Sequence, residues 1–366
     1  MLTTLSTPFA VRRTTGDDAR RRHRSGECVS ASSPMEAVAF PRPETFVAAD
    51  VGGTHVRLAL VCESNDAGKP VTVLDYRKYR CAEYPGLAEI MAAFFAEVGC
   101  APVRRGVIAS AGYALDDGSV ITANLPWVLA PEQIRRQLGM QALYLVNDFE
   151  AVAYAANYMS GNQVMQLSGP AQGAAGPALV LGPGTGLGAA LWIPHGAHPV
   201  VLPTEAGHAA LAPASDLEVE LLQELRRTRT HVCTETLLSG PGLLNLYTAL
   251  GALRGDAVLH ANPAEITAAA LAGNDALAHD ALQAFCGFMG SVVGDLMLLY
   301  GVRSGVYLAG GFLPQIAGFI AESDFVARLL DKGALRPALE QVPVSIVEHG
   351  QLGVIGAASW FLLHGR

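Results

Sequence analysis

Beyond residue 45 the chain opens with three short apolar blocks. Residues 46–51 are apolar up to Asp50, 56–61 alternate as Val56-Arg57-Leu58-Ala59-Leu60, and 71–79 follow the turn signal Asn65-Asp66-Ala67-Gly68. Period-two alternation bounded by turn residues predicts three hairpin-linked strands. A helix is expected from Pro85 to about Val98, with Pro at its first position. Then come a strand over 106–111, a hairpin at Asp117-Gly118, a short helix over 131–138, a strand over 142–146 and a helix over 149–159. Hairpin strands followed by alternating strands and helices predict a mixed sheet covered by helices. The stretch 168–177, rich in Gly, Pro and Ala, reads as a crossing between two domains. After it the pattern predicts strands over 178–181, 187–193 and 306–309, and helices over 216–228, 242–252, 264–272, 275–300 and 353–363. The longest apolar tract, 281–300, holds Asp295 and three glycines, and so reads as a buried helix rather than a membrane span.

Bulk composition narrows the class. A length of 366 residues exceeds what one core usually serves, so two domains are expected. With 51% apolar and 16% charged residues, the chain has the make-up of a well-buried globular enzyme. A formal charge of -8 argues against general nucleic-acid binding, which needs a basic footprint. Nucleotide binding stays open, because backbone N–H groups and a bound cation can hold phosphate. The six cysteines are scattered with no Cys-x-x-Cys, which predicts reduced thiols in a cytoplasmic protein and no zinc site or disulfide frame. Residues 1–43 differ: within the first 40, six arginines lie among many Ser and Thr without apolar periodicity. Asp17, Asp18, Glu27 and the lack of an apolar signal core argue against a targeting peptide. The expectation is a disordered tail, or a chain whose true start is Met35.

The chemistry begins between the first two strands, at Asp50-Val51-Gly52-Gly53-Thr54-His55. Without a Cβ, glycine lets backbone N–H groups approach an anion. In a dinucleotide fold or a Walker loop, a helix follows such a turn. Here a strand follows, so the turn belongs to a hairpin. The pattern recurs at Gly182-Pro183-Gly184-Thr185-Gly186, again between two strands. One such turn alone is an ordinary tight hairpin; two make a two-sided phosphate clamp. The arrangement resembles the actin, Hsp70 and hexokinase superfamily of ATP-using enzymes.

Three further groups carry candidate chemistry. Leu145-Val146-Asn147-Asp148-Phe149-Glu150 lies at the carboxyl end of a strand, where ligands of open α/β sheets gather. Asn or Asp before a helix is also an ordinary cap. Read functionally, Asp148 accepts the proton of a substrate hydroxyl during phosphoryl transfer. In Pro203-Thr204-Glu205-Ala206-Gly207-His208, Glu and His three apart suit a metal if helical, but Pro203 and Gly207 argue for a loop. There they can pair with sugar hydroxyls, although a plain surface loop fits equally. Ser239-Gly240-Pro241-Gly242, preceded by Glu235, reads as a turn opening a helix. Val306 to Ala309 reads as a buried strand ending in Gly310-Gly311. Both let backbone approach a base or ribose, and both also read as simple turns.

Together and in this order, these residues resemble the bacterial ATP-dependent glucokinase family from about residue 46 to the C-terminus. The resemblance implies an α/β, two-lobed actin/hexokinase-like (ribonuclease H-like) fold with mixed sheets and a cleft between lobes. Residues 44–160 would form a small domain, completed by the last helix within 350–366, and 161–349 a large one. It implies transfer of the ATP γ-phosphate to the 6-hydroxyl of glucose. The alternatives are a kinase for fructose, mannose or an amino sugar, or a weakly catalytic sugar sensor. Asp50, Val51, Gly52, Gly53, Thr54 and His55 would form the first phosphate segment, with Asp50 near Mg²⁺ and its waters. Gly184, Thr185 and Gly186 would form the second, and Gly310 and Gly311 the adenosine segment, with Ser239 and Gly240 nearby. Asn124, Asn147, Asp148, Glu205, His208 and Glu235 would meet the sugar, with Asp148 as the base. ATP and Mg²⁺ are the implied cofactors, with no protein metal cage. A homodimer without nucleic-acid or membrane partners is the implied assembly. The chain departs from the family at His55, where Asn is usual, at Thr204 and Ala206, where glycines are frequent, and at Ala123, where Thr is common; Trp127 is retained. The related zinc-bearing repressor and kinase group carries a Cys-rich motif after its Glu-x-x-His loop, whereas here the next cysteine is Cys233.

Overall fold

A computed structural model describes residues 44–66, 69–99, 103–114, 120–121, 125–156, 164–196, 199–347 and 350–365. The expectations for the N-terminal tail, for Asn124 and for the Asp117-Gly118 turn lie outside the described residues.

The first half supplies β1 (Thr45–Val51), β2 (His55–Glu63), β3 (Val71–Arg80), α1 (Leu87–Val98), β4 (Arg105–Ser110), β5 (Tyr113–Ala114), β6 (Val120–Ile121), α2 (Pro131–Gln137), β7 (Ala142–Asn147) and α3 (Asp148–Ala156). Five of these strands form one sheet in the order β3-β2-β1-β4-β7. Its first three strands are antiparallel, and β4 and β7 continue parallel to β1. β5 and β6 pair as a separate two-stranded ribbon. Helix α1 begins at Leu87 rather than at Pro85, because Gly86 between them is extended (φ -178°) and serves as the cap.

The second half supplies β8 (Val164–Ser168), β9 (Ala178–Pro183), β10 (Leu187–Ile193), β11 (Val200–Thr204), α4 (Asp216–Arg226), α5 (Gly240–Arg254), α6 (Pro263–Ala272), α7 (Ala276–Tyr300), β12 (Gly305–Ala309), α8 (Ala317–Glu322), α9 (Phe325–Leu330), α10 (Arg336–Leu339), β13 (Val344–Val347) and α11 (Leu352–His364). The second sheet runs β11-β10-β9-β12-β13-β8. Apart from β8, this is the connection order of the first sheet over again, with the same antiparallel trio and parallel pair. The duplication visible in the sequence only as two glycine turns therefore extends to whole sheets.

Strand β8 escapes the sequence pattern because it is an antiparallel edge with no buried face. Since β8 already belongs to the second sheet, residues 168–177 do not cross between domains; they join two strands of one sheet. Helix α7 is long and apolar enough to span a membrane, yet most of it is buried within the protein. Its glycines let α9 lie against it: a Cβ on Gly290 would strike the Phe325 carbonyl. Asp295, the charge in that tract, pairs with Lys332 at 2.6 Å.

Helix α3 links the two sheets. One side meets α11, where Gly356 approaches the Ala151 carbonyl too closely for any Cβ. At its start, the Phe149 ring fills the space where side chains at Gly182 of β9 and Gly188 of β10 would stand. Helix α11 in turn packs on the first sheet, with Phe361 against Phe46 at 4.4 Å between ring centroids.

Candidate active site

The first glycine turn closes the β1–β2 hairpin, with Gly52 N–H donating to the His55 carbonyl at 3.0 Å. Cys81, just after β3, ties the turn down from the side. Its N–H donates to Thr54 O at 3.0 Å and its thiol to Gly52 O at 3.2 Å. Among the described residues, no backbone carbonyl takes the Gly53 or Thr54 N–H. Asp50, buried at the end of β1, faces Arg57 across the hairpin, and their side chains pair at 3.0 Å. Helix α11 crowds the same carboxylate, since a Cβ on Gly353 would come 2.5 Å from Asp50 Cγ.

The second turn is held differently. Gly184 N–H donates to Gly186 O at 2.7 Å, and the Gly184 carbonyl accepts from Gly240 N–H, the first residue of α5, at 2.8 Å. That helix is capped by Ser239, whose Oγ accepts from Gly242 N–H at 3.0 Å and donates to Glu235 O at 2.9 Å. A helix N-terminus thus backs the turn, and its partial positive charge favours phosphate. Gly310 borders the same place, where a Cβ would lie 2.7 Å from Pro183 O. The second phosphate segment and the two segments expected beside the nucleoside are therefore neighbours.

The ends of β7 and β11 bring the remaining groups together. Asn147 caps α3, its Oδ1 accepting from both Phe149 and Glu150 N–H at 3.0 Å. The cap reading of this motif holds for Asn147, which leaves its Nδ2 amide as the donor for a ligand. Asp148 then opens the helix with Oδ1 accepting Phe149 N–H at 2.9 Å. Burial pushes its carboxyl up to about 6; the negative charge of Asp50 adds to this, and Glu205 contributes more weakly. Asp50 belongs to the first sheet and Glu205 to the end of β11 in the second, so Asp148 feels carboxylates from both.

The Glu205–His208 segment is a short 3₁₀ turn directly after β11, with Pro203 still in the strand, rather than a plain loop. Thr234 fastens it, its hydroxyl donating to the Ala206 and Gly207 carbonyls at 2.9 and 2.8 Å. The departures from family habit find places here. Thr204 donates its hydroxyl to Ala189 O at 3.1 Å, and the Ala206 methyl joins the core of the second half. Glu205 and His208 are exposed. Glu235 reaches further than the sequence implied. Its Oε2 accepts Leu187 N–H at 2.7 Å, and a Cβ on Gly186 would lie 2.5 Å from the same oxygen. One carboxylate therefore borders both the Gly184–Gly186 turn and the 3₁₀ turn at Gly207.

Sequence reasoning passed over Arg57, Cys81 and Thr234. Arg57 had a signal, since a hairpin centred between Gly53 and Thr54 puts it opposite Asp50; Cys81 and Thr234 had none. No group of three His, Cys, Asp or Glu side chains among the described residues is placed to hold a metal.

Across its length the sequence matches the Glucokinase family over residues 47–364. The chain belongs to the glucokinase family. A "Glucokinase-like protein" of Xylella fastidiosa strain 9a5c is 52% identical over 322 residues, covering 88% of this chain and 96% of that protein. A glucokinase of Saccharophagus degradans is 34% identical over 315 residues, covering 86% and 97%. The crystal structure of a glucokinase from an Antarctic psychrotroph superposes with a TM-score of 0.77 at 34% identity, over 89% of this chain and 100% of that one. The two-lobed hexokinase-like architecture is thus that of the glucokinase family.

Proposed function

We propose that this glucokinase-family chain transfers the γ-phosphate of ATP to the 6-hydroxyl of glucose, with Asp148 as the base. The observation that carries the reading is Asp148 itself: a carboxyl held at about 6, at a helix start, within the influence of Asp50 beside the first glycine turn and of Glu205. A base near the working pH combines a usable proton affinity with a largely ionised form. Gly53, Thr54 and Gly186 N–H groups face the donor phosphates, and the α5 start adds its dipole. Mg²⁺ arrives with ATP as part of that substrate, neutralising phosphate charge. Asp50, steadied by Arg57, is the carboxylate placed to meet its water shell. Glu205, His208, Glu235 and Asn147 Nδ2 orient the sugar hydroxyls, with Asn124 as a further ligand. Closing residues 44–160 with α11 against 161–349 would exclude water, the competing acceptor.

The test is ADP release measured across glucose, fructose, mannose, glucosamine and N-acetylmannosamine. Glucose is expected to give the highest kcat/KM. ADP formation with none of them, or a clear preference for another hexose, overturns the reading.

A further inference from the structure

The face of the first sheet beside the Gly52–Thr54 turn carries an unusual concentration of positive charge. In the β2–β3 ladder, His55 lies opposite Arg80 and Arg57 opposite Lys78. Residues two apart on a strand share a face, so all four side chains project to the same side. Like charges directly opposite one another weaken a ladder. Here one such pair, Arg57 and Lys78, sits beside His55 and Arg80, in a chain whose formal charge is -8. Only Arg57 is fully engaged, by Asp50 at 3.0 Å and by the Tyr76 hydroxyl. Arg80 is 72% exposed and meets Glu83 only at 3.8 Å. Lys78 is exposed and takes part in no ion pair among the described residues. The cluster abuts the turn directly, because Cys81, the residue after Arg80, donates its N–H to Thr54 O at 3.0 Å.

We propose that His55, Lys78 and Arg80 form a cationic rim on the first phosphate turn that binds the phosphate chain of the nucleotide donor. The inference rests on the kinase reading above and adds Lys78 and Arg80, which lie outside both glycine turns. The turns themselves contain no Lys or Arg, and α5 supplies its dipole only to the second one. The rim gives the first turn the charge it otherwise lacks. His55 reports the local field: partial burial and then Lys78, Arg57 and Arg80 hold its proton affinity below the ordinary value, with Glu83 opposing. A phosphate arriving there relieves that repulsion.

The experiment compares the full chain with Lys78→Ala/Arg80→Ala and with His55→Asn, whose exposed or half-exposed positions leave the core intact. At low ionic strength, the double variant is expected to raise the KM for ATP about 5- to 10-fold, as two exposed cations allow. The difference should shrink in about 0.5 M salt, where the screening length falls to a few ångströms. Directly measured affinity should fall more for ATP than for ADP, and not at all for AMP; the glucose KM should not move. Lys78→Arg should behave as the parent. If the parent phosphorylates glucose and neither variant changes ATP affinity, the rim is wrong and the kinase reading stands. If the variants alter inhibition by glucose 6-phosphate instead, the rim serves the product and the proposal is overturned. If ATP affinity drops as expected but no hexose yields ADP, the rim survives and the kinase reading fails.

Discussion

The two sheets share strand order, strand sense and a three-residue glycine turn between their first two strands, yet the two turns, both proposed to meet phosphate, are held in different ways. The first turn is held by backbone bonds to His55 and from Cys81 together with the Cys81 thiol at Gly52, and exposed cations lie alongside. The second is locked by backbone to the start of α5 and braced by the Glu235 carboxylate. Charge at the first comes from movable side chains; at the second it comes from a fixed dipole. The proposed base and sugar ligands divide in the same way. Asp148 is half-buried at the end of the first sheet, whereas Glu205 and His208 stand exposed on the second. A duplicated scaffold thus keeps its backbone geometry and assigns its chemistry by what surrounds each strand end.

The sharpest way to break this contrast is to neutralise the half-buried base. Asp148→Asn is expected to cut kcat by about 10²–10⁴-fold, the range for losing a general base. Near-normal turnover would mean that Asp148 merely opens a helix. In the parent, kcat/KM should fall as pH drops through about 6, where the carboxylate becomes protonated. Stability should follow the opposite sign. The folded carboxyl titrates near 6 against 3.8 for the ordinary group, so the folded state binds the extra proton between those values. Its stabilising contribution is present in acid and is lost as pH rises through about 6. Asp148→Asn should therefore be more stable than the parent at pH 8, by about 1–3 kcal/mol, and nearly unchanged at about pH 3, below the unfolded value. Urea titrations at the two pH values check this. Equal differences at both would remove the buried-carboxyl account.

A smaller effect tests the second sheet's brace. Glu235→Gln keeps size and an acceptor for Leu187 N–H but loses charge toward the sugar. Charge-assisted bonds contribute about 1.5–3 kcal/mol, so the glucose KM should rise about 10-fold or more, with the ATP KM little altered. Glu235→Ala also removes the hold on Leu187 and should raise both constants. A glutamine variant that affects ATP and spares glucose would move Glu235 to the nucleotide side alone.

Much of this could be read before any coordinates, and the reasons are specific. The β1–β2 and β9–β10 hairpins declared themselves through alternation and glycine turns, and Asn147-Asp148 through its place between strand and helix. What stayed hidden depended on contacts distant in sequence. The edge strand β8 has no buried face to impose alternation. The shared strand order is a matter of pairing, and side chains carry almost none of it beyond the turns. Glu235 looked like one ligand among six until 48 residues of intervening chain were folded to bring it to Leu187. Cys81 gave no sign, since its neighbours Arg80 and Ala82 suggest only a strand end.

That cysteine supplies the mildest test of the contrast between the turns. Its thiol is buried, burial pushes its proton affinity up, and it therefore acts as a neutral donor to Gly52 O. Cys81→Ala leaves that carbonyl without its partner while keeping the backbone bond to Thr54. A neutral hydrogen bond is worth about 0.5–1.5 kcal/mol, so a two- to tenfold rise in the ATP KM is expected, with the glucose KM nearly constant. Cys81→Ser restores a donor at somewhat shorter reach and should recover part of the loss. At the second turn, Ser239→Ala removes a helix cap and is expected to cost stability, about 0.5–2 kcal/mol, before it costs nucleotide affinity. The Gly184 carbonyl there is held by backbone, which the substitution leaves in place. If Cys81→Ala lowers stability alone and Ser239→Ala weakens ATP binding alone, the assignment of side-chain support to the first turn and backbone support to the second is reversed.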